Sequence, residues 1–532
     1  MKGLGDVPRS YRLRIALETL SFVEQSKNVL NKKEHAFCVC HFFLVILQSD
    51  MSYSYKAYYP YYRRNLKVAV PVMLTQFGAA LVGLADSIMV GHYSTADLAA
   101  VSFSNAIFFT VMVFAMGAMM GLTPLVGHEV GRINGLKGEG VKGLEGEGVK
   151  GLKGEALEAY IREKEWKISS LLANGGVFMV LMCIISLVFL VPCIPFLDSF
   201  GQEPDVVACA RPYYILIVLS IVPFLLFCLC KQFLEGLGNT TVAMVITVGC
   251  NLLNIGLNWV FIFGHWGIPA MGAAGAGLAT LIARALMPVC FIAVILSRDA
   301  WRKFLVQIEK VMISRREVEN LLVIGSPIGM QTFVETFLFT ASFVIIGWIS
   351  KEALAAHHIA NQMADLTFML AQGIGAATTI RVSHQLGRGD LHAVRMASRA
   401  SVHLCLLMNT IGAAIMILFR HQIPYIFTDD EAVAEIASSL LFFAGLFQYA
   451  DGLQCMGAAM LRGIQDVRVP MRIAVFAYIG VALPWGIFLT FPAGLGVQGM
   501  WMAFVIALAI PALAFHIRFN RQMRKMEMKE ER

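Results

Sequence analysis

Apolar segments long enough to cross a lipid bilayer recur along almost the whole chain. Twelve can be placed between residues 67 and 517 of the 532-residue sequence, and each approaches the ~20 residues that a membrane-spanning helix needs. Only 15% of the residues are charged, compared with about 25% in soluble proteins. The sequence therefore predicts an all-α integral membrane protein. The predicted spans are 67–91, 99–126, 168–191, 209–230, 240–263, 272–297, 319–349, 353–380, 396–419, 432–459, 470–491 and 495–517.

The twelve spans form two related sets of six, because the chain contains an internal repeat. Eight residues between Pro71 and Arg132 recur as the same residue type 256 positions later, and four between Leu234 and Gly272 recur 227 positions later. Six spans return the chain to the same side of the membrane, so the two halves have the same orientation. Transporters whose halves are related in this way have their binding cleft between the halves, near the bilayer midplane.

The lysine and arginine residues indicate the orientation in the membrane. Eight lie in the 128–167 loop, six in the 298–316 loop and six after residue 517. At the opposite ends of the spans, the loops and their edges contain only Arg211, Lys351 and Arg420. By the positive-inside rule, both termini are predicted to be cytoplasmic in a multi-pass protein of the plasma (inner) membrane. This placement accounts for the net charge of +7 without a nucleic-acid partner, and we expect none.

These observations predict a pair of pseudo-symmetric lobes with short additions. Met51 precedes an aromatic and basic run that is typical of a juxtamembrane anchor, so we expect the first residues to be disordered or to precede the true start. The predicted segments are an amino-terminal extension 1–60, an amino-terminal lobe 61–297 with a low-complexity cytoplasmic loop 133–166, a cytoplasmic linker 298–318, a carboxy-terminal lobe 319–518 and a basic cytoplasmic tail 519–532.

Four carboxylates stand out inside the predicted spans, where ionisable side chains are expensive and are functional candidates by default. Asp86 lies in span 1, Glu335 in span 7, Asp365 in span 8 and Asp451 in span 10. The repeat places uncharged residues opposite Asp86, Glu335 and Asp451, so a requirement of the shared fold does not explain these acids. We expect them to bind Na⁺ or H⁺ and to pair with a cationic substrate. The alternative is a polar contact between helices, and for Asp365 both interpretations stay open.

Glutamine side chains extend the acidic positions along helix faces. Gln331 lies one turn before Glu335, and Gln448 and Gln454 lie three residues either side of Asp451. Residues at these spacings share a face of a helix. We expect the resulting polar stripes to face a cavity rather than lipid.

Span 5 carries a row of asparagines. Asn251, Asn254 and Asn258 fall on one face of this helix. Amide oxygens are suitable ligands for hard cations such as Na⁺, and hydrogen bonding between helices is the alternative. Arg284 in span 6 is a further charge within the membrane and a candidate partner for an acid.

Several enzyme and ATPase signatures are missing from the sequence. The glycine-rich run GAAGAG at 272–277 lacks the lysine of a phosphate-binding loop and opens an apolar helix, so it favours close helix packing. The chain has no Walker A sequence, metal-ligand spacing or nucleophile motif. We therefore expect a secondary transporter without a cofactor, and neither an enzyme nor an ATP-driven pump.

Seven segments together resemble the multidrug and toxic compound extrusion (MATE) transporters, particularly the bacterial NorM-like branch. The resemblance covers roughly residues 60–518. The segments are PVMLTQFG, LADSIMVGH with the following LAAVS, FVETFLF, AHHIAN, SHQLGRGD, LEGLGNT and YADGLQCMGAAMLRGIQD.

The resemblance implies a V-shaped pair of six-helix lobes that exports cationic, lipophilic drugs in exchange for Na⁺ or H⁺. Membrane lipid would be the other partner, and we expect a monomer. The acids of spans 1, 7 and 10 match acids of the family, and an amino-terminal cation site resembles Asp86, Asn254, Asn258 and Thr280. Many members carry Asp where Asn258 stands, which leaves the coupling ion open. Na⁺ would bind at Glu335 and Asp451, or at Asp86 and Asn254.

A flippase for lipid-linked oligosaccharides or cell-wall precursors is the main alternative function. Such a protein needs several cationic residues along its cleft to bind a pyrophosphate. The predicted spans contain mainly acids, which favours drug export.

Three copies of an eight-residue unit, GLKGEGVK, GLEGEGVK and GLKGEALE, occupy residues 135–158. The frequent glycines and the lack of an apolar face disfavour a stable helix. The unit is either a regulatory or partner-binding loop or a flexible expansion, and we expect the latter because surface loops tolerate added length.

Deleting this repeat is therefore expected to leave transport largely intact. The measurement is drug export by cells that produce equal amounts of the intact and the shortened protein. Loss of export by a correctly inserted deletion variant would assign the repeat a functional role.

Overall fold

The computed structural model describes residues 55–137, 154–200 and 202–530. Within these ranges the chain forms helices joined by short connections, and no strand is present. Twelve long helices of the described chain are numbered here in order. They are α1 (Tyr55–Tyr93), α2 (Thr95–Met119 continued by Leu122–Lys137), α3 (Glu155–Leu190), α4 (Pro204–Leu219 continued by Ile221–Gly236), α5 (Thr240–Phe263), α6 (Gly272–Ser297), α7 (Arg315–Gly347), α8 (Lys351–Gly387), α9 (Leu391–Leu418), α10 (Glu431–Gly463), α11 (Arg468–Thr490) and α12 (Gly496–Glu530).

The prediction of an all-α membrane protein is confirmed, although the count of twelve spans is confirmed only in part. In the described residues, eleven of these helices are long and apolar enough to cross a membrane. The exception is α8, which has 37 residues but includes polar side chains such as His357. His357 is fully buried, where Trp501 Nε1 of α12 donates to its Nδ1 at 3.1 Å and Ser342 Oγ of α7 lies 3.0 Å from its Nε2. The polar residues of α8 therefore serve contacts inside the protein.

The internal repeat reappears as repeated local structure. Ser94 begins α2 and its hydroxyl accepts from Asp97 N at 3.4 Å. Ser350, which lies 256 positions later, begins α8 and its hydroxyl accepts from Ala353 N at 3.0 Å. A serine at this position satisfies a backbone N–H that has no partner within the helix. Equivalent helices in the two halves thus begin in the same way.

The two halves pack against each other through helices that are rich in small residues. Closely packed pairs that join the halves include α2 with α7, α2 with α8 and α3 with α7. Glycines bring the backbones together: a Cβ at Gly121 would lie 2.9 Å from Gly325 Cα, and one at Gly131 would lie 2.9 Å from Gly387 Cα. Gly131 and Gly387 are themselves repeat-related, so this contact lies on the pseudo-symmetry axis. Small residues permit such approach between membrane helices.

Side-chain hydrogen bonds add to this contact between the halves. Asn65 of α1 is fully buried and donates to Ala397 O at 3.0 Å and to Ser401 Oγ at 2.9 Å, both on α9. His384 of α8 is hydrogen-bonded through Nε2 to Gly236 O of α4 at 2.8 Å. These contacts lie at the end of the bundle that carries the basic loops.

Helices extend into segments that the sequence predicts to lie outside the spans. Helix α1 begins at Tyr55, inside the predicted extension 1–60, whose first 54 residues lie outside the described chain. Helices α2 and α3 extend into both ends of the predicted loop 133–166, and residues 138–153 of that loop lie outside the described chain. Helix α12 continues through the predicted tail to Glu530. Arg395 of α9 binds Glu527 in this extension through two contacts of 2.6 and 2.7 Å.

Replacing Gly131 by Ala is expected to destabilise the protein by about 1–3 kcal/mol, because the new methyl group overpacks a backbone contact. The measurement is the thermal unfolding midpoint of the purified protein. Gly249→Ala is the matched control, since a Cβ there would meet nothing within 4 Å. An equal midpoint for the two variants would contradict the close contact between α2 and α8.

Candidate cation and substrate sites

The first candidate site lies in the amino-terminal lobe, where Asp86 meets Asn258. Asp86 is on α1 and half-buried, and Asn258 is fully buried on α5. Asn258 Nδ2 donates a short hydrogen bond to Asp86 Oδ1. Two earlier residues of α5 show which face of the helix points inward. Asn254 is only 4% exposed, whereas Leu252 is 64% exposed. The predicted row of asparagines therefore faces the protein interior.

Two oxygen atoms of this row have no hydrogen-bond partner. Asn254 Oδ1 and Asn258 Oδ1 are buried and unpaired, while Asp86 lies beside Asn258. A buried polar atom without a partner is destabilising, so each such atom needs an explanation. Amide and carboxylate oxygens are ligands that hard cations prefer. Thr280 is half-buried on α6, which packs against α5.

Arg284 of α6 gives this lobe a fixed positive charge. Its Nη1 donates to Ser220 Oγ at 2.8 Å, and its guanidinium lies 5.2 Å from the ring centre of Phe108 and 4.9 Å from that of Phe224. It lies within electrostatic range of Asp86. One carboxylate and one guanidinium therefore balance each other in this site.

The second candidate site lies in the carboxy-terminal lobe, around Glu335 and Asp451. Glu335 Oε1 on α7 accepts from Gln454 Nε2 on α10 at 3.3 Å. Asp451, one turn before Gln454 on α10, is only 5% exposed. Glu335 and Asp365 both lie within electrostatic range of Asp451. Asp365 is exposed on α8, where Asn361 Nδ2 donates to it at 3.0 Å.

This second site is also rich in unpaired buried atoms. Asp451 Oδ1, Gln454 Oε1 and Gln331 Nε2 are buried without a hydrogen-bond partner. The same holds for Arg462 Nε and the Tyr478 hydroxyl. The polar side chains that the sequence predicted on α7 and α10 are thus brought together, and beyond the hydrogen bond from Gln454 to Glu335 they leave these atoms unpaired.

Arg462 and Tyr478 belong to the second site although sequence reasoning missed both. Arg462 lies in the last turn of α10 and within electrostatic range of Glu335. Tyr478 lies in a π-helical stretch, Phe476–Ala482, inside α11. Such bulges are frequent at functional sites. An apolar run such as FAYIGVA gives no signal for a π-helix. Arg462 lies three residues beyond the predicted span 432–459, so it was not counted among the charges inside spans.

Gln448 takes part in helix packing rather than in the contacts around Glu335. Its Nε2 lies 2.8 Å from Met416 Sδ of α9, and its backbone oxygen accepts from Asn409 Nδ2 at 2.7 Å. Gln448 lies three residues before Asp451, but its amide turns towards α9. The polar stripe predicted on α10 is therefore divided between the site and the interior of the lobe.

The predicted residues form two groups, one in each lobe, and their charge balance differs. In the second group, Glu335 and the exposed Asp365 act electrostatically on Asp451, and one guanidinium, that of Arg462, acts on Glu335. In the first group one guanidinium acts on one carboxylate. Among the described residues, no group of three or more His, Cys, Asp or Glu side chains is arranged to hold a metal ion. Any cation bound at either site would have to use amide or hydroxyl oxygens together with one or two carboxylates.

Comparisons with known proteins identify the family. A family model described as MatE matches residues 71–136, 165–260 and 327–488. The chain is 31% identical over 461 residues to a probable multidrug resistance protein NorM of Xylella fastidiosa, which covers 86% of this chain and 91% of that protein. It is 30% identical over 471 residues to the multidrug resistance protein PmpM of Pseudomonas aeruginosa, with 88% and 93% covered.

A solved structure has the same fold. A crystal structure of a MATE protein in the straight conformation superposes with a TM-score of 0.74 over 88% of this chain and 97% of that one, at 18% identity. At this identity the likeness is one of fold alone. The family model and the two relatives match this chain in sequence as well. The chain therefore belongs to the MatE family of membrane transporters.

Proposed function

We propose that this protein is a secondary active multidrug efflux transporter that exports cationic, lipophilic compounds by antiport with Na⁺ or H⁺. We place it in the inner membrane with both termini in the cytoplasm. The observation that carries the proposal is the group of three carboxylates in the carboxy-terminal lobe, Glu335, Asp365 and Asp451, with one guanidinium to balance them. The names of the NorM and PmpM relatives support export of drugs.

The coupling ion binds in the carboxy-terminal lobe. Asp451 is buried with one unpaired oxygen, and Glu335 receives one hydrogen bond, from Gln454. Buried charges of one sign repel each other and lack the solvation of water, so the group is stabilised by taking up a cation or a proton. The unpaired oxygen of Gln454 is available as a further ligand for Na⁺.

The amino-terminal lobe has less need of an added ion. Arg284 supplies a positive charge within range of Asp86, and Asn258 donates to that carboxylate. The aromatic rings of Phe108 and Phe224 contact Arg284. A lipophilic cation that displaces the guanidinium would be held by the same two rings through cation–π contact and by Asp86 through its charge.

Exchange follows when drug and coupling ion favour different states of the lobes. A ligand shifts a conformational equilibrium only by the difference in its affinity for the two states. The lobes meet through α2, α7 and α8, and two of these helices carry acids of the second site, Glu335 and Asp365. Binding at that site is therefore positioned to change the contact between the lobes, which is the requirement for alternating access.

Purified protein in liposomes is expected to move ethidium when a Na⁺ gradient or a pH gradient is imposed. Each gradient is applied alone, and ethidium fluorescence reports its movement. The gradient that drives movement identifies the coupling ion. Absence of movement with either gradient, in liposomes where a known exporter is active, would contradict the proposal.

Replacing Glu335 by Gln or Asp451 by Asn is expected to reduce ethidium transport about tenfold or more, since contacts to charged groups are worth about 1.5–3 kcal/mol. Glu319→Gln is the matched control, because Glu319 lies on the same helix as Glu335 but is exposed and paired with Arg315. Transport and protein yield are measured together. Full activity in both acid variants would remove the proposed ion site.

A further inference from the structure

Three arginines come together where α1 of one lobe meets α8 of the other. Arg381 and Arg388 are two turns apart on one face of α8, and Arg64 is near the start of α1. Arg64 and Arg388 both lie within electrostatic range of Arg381. Both helix ends are at the side of the bundle with the basic loops. Arg64 is exposed, whereas Arg381 and Arg388 are half-buried. Like charges repel, so an anion bound among them would stabilise the cluster.

The repeat shows that one of these arginines has lost its acidic partner. Arg388 corresponds to Arg132, which lies 256 positions earlier. Arg132 Nη1 contacts Glu129 Oε1 at 3.5 Å, one turn before it on α2. The position equivalent to Glu129 is occupied by Gln385. The carboxy-terminal lobe therefore keeps the guanidinium and has no carboxylate in the equivalent place.

Guanidinium nitrogens in the cluster are buried without hydrogen-bond partners. These atoms are Nε and Nη2 of Arg381 and Nε of Arg388. Neither residue forms an ion pair with a carboxylate of the described chain. A buried charged group that lacks partners is more destabilising than a neutral one. The unpaired nitrogens indicate a ligand with several acceptor oxygens.

Nearby carboxylates are committed to other contacts. Asp390 caps α9, where its Oδ1 accepts from Ala393 N at 2.8 Å, and its charge acts on Tyr61. Glu527 is held by both Nε and Nη2 of Arg395. Asp390 lies close enough to act on the same tyrosine as Arg64 and Arg381, but neither carboxylate accepts a hydrogen bond from the unpaired nitrogens of Arg381 and Arg388.

We propose that Arg64, Arg381 and Arg388 form a phosphate-binding site between the lobes, separate from the two acidic sites. Guanidinium groups bind phosphate oxygens through paired, charge-assisted hydrogen bonds, and several arginines bind one phosphate group together. The phosphate belongs either to the headgroup of an anionic lipid or to a soluble phosphate compound. Because its ligands come from α1 and α8, the bound phosphate holds the two lobes together at this end.

The test is the thermal unfolding midpoint of the full-length protein in an uncharged detergent. One arm adds inorganic phosphate in place of chloride at constant ionic strength. The other adds phosphatidylglycerol, compared with equal amounts of phosphatidylcholine. A ligand that binds the folded state raises the midpoint with a concentration dependence that gives its affinity. A rise in the lipid arm alone identifies a headgroup, and a rise with inorganic phosphate identifies a soluble ligand as sufficient.

The double variant Arg381→Gln with Arg388→Gln is expected to weaken this binding about tenfold or more, given the strength of hydrogen bonds to charged groups. Arg132→Gln removes the repeat-related arginine, one positive charge where the double variant removes two, and it is expected to leave binding unchanged. Gln385→Glu keeps every arginine and restores the missing acid, so it is expected to weaken phosphate binding as well.

Two results would overturn the proposal. One is the absence of a midpoint rise in both arms for the unmodified protein. The other is an equal rise in the unmodified protein and the double arginine variant. If the double variant does not fold, Gln385→Glu is the deciding variant, because it removes no native side-chain charge. An unchanged midpoint rise in Gln385→Glu would also overturn the proposal.

Discussion

The energetic penalty for burying charge inside a membrane protein is the constraint on which the arrangement of this protein depends. A carboxylate in a span is tolerated only when hydrogen bonds, an opposite charge or a bound cation compensates it. In the amino-terminal lobe, Asp86 receives a hydrogen bond from Asn258 and the charge of Arg284. In the carboxy-terminal lobe, Glu335 and Asp451 have less compensation, since Asp451 keeps an unpaired buried oxygen. The two lobes share a fold and differ in how completely their buried acids are compensated.

The repeated fold and the unequal charges have different structural origins. Repeat-related residues such as Ser94 and Ser350, or Gly131 and Gly387, occupy helix starts and the contact between the lobes. They are retained in both halves because both halves need the same packing. The acids Asp86, Glu335 and Asp451 break the repeat, and Glu129 has the uncharged Gln385 as its counterpart. Packing of the shared fold therefore does not explain these acids.

Much of the fold was predictable from the sequence, because membrane helices have a simple requirement for length and apolar composition. Helix α8 was harder to recognise by composition, since His357 and other polar side chains of that helix are buried against neighbouring helices rather than facing lipid. The grouping of Glu335 with Gln454 and of Asp86 with Asn258 depends on tertiary packing, which spacing along one helix does not contain. The π-helical turn that places Tyr478 has no pattern in the sequence.

The central claim is that the acidic group of the carboxy-terminal lobe holds the coupling ion. It is tested most directly by measuring ion binding in solution, with Na⁺ binding followed by calorimetry and proton release on ethidium binding followed by a pH-sensitive dye. The ion signal is expected to disappear in Asp451→Asn and to persist in Asp86→Asn. Loss of the signal in Asp86→Asn with an unchanged signal in Asp451→Asn would contradict it.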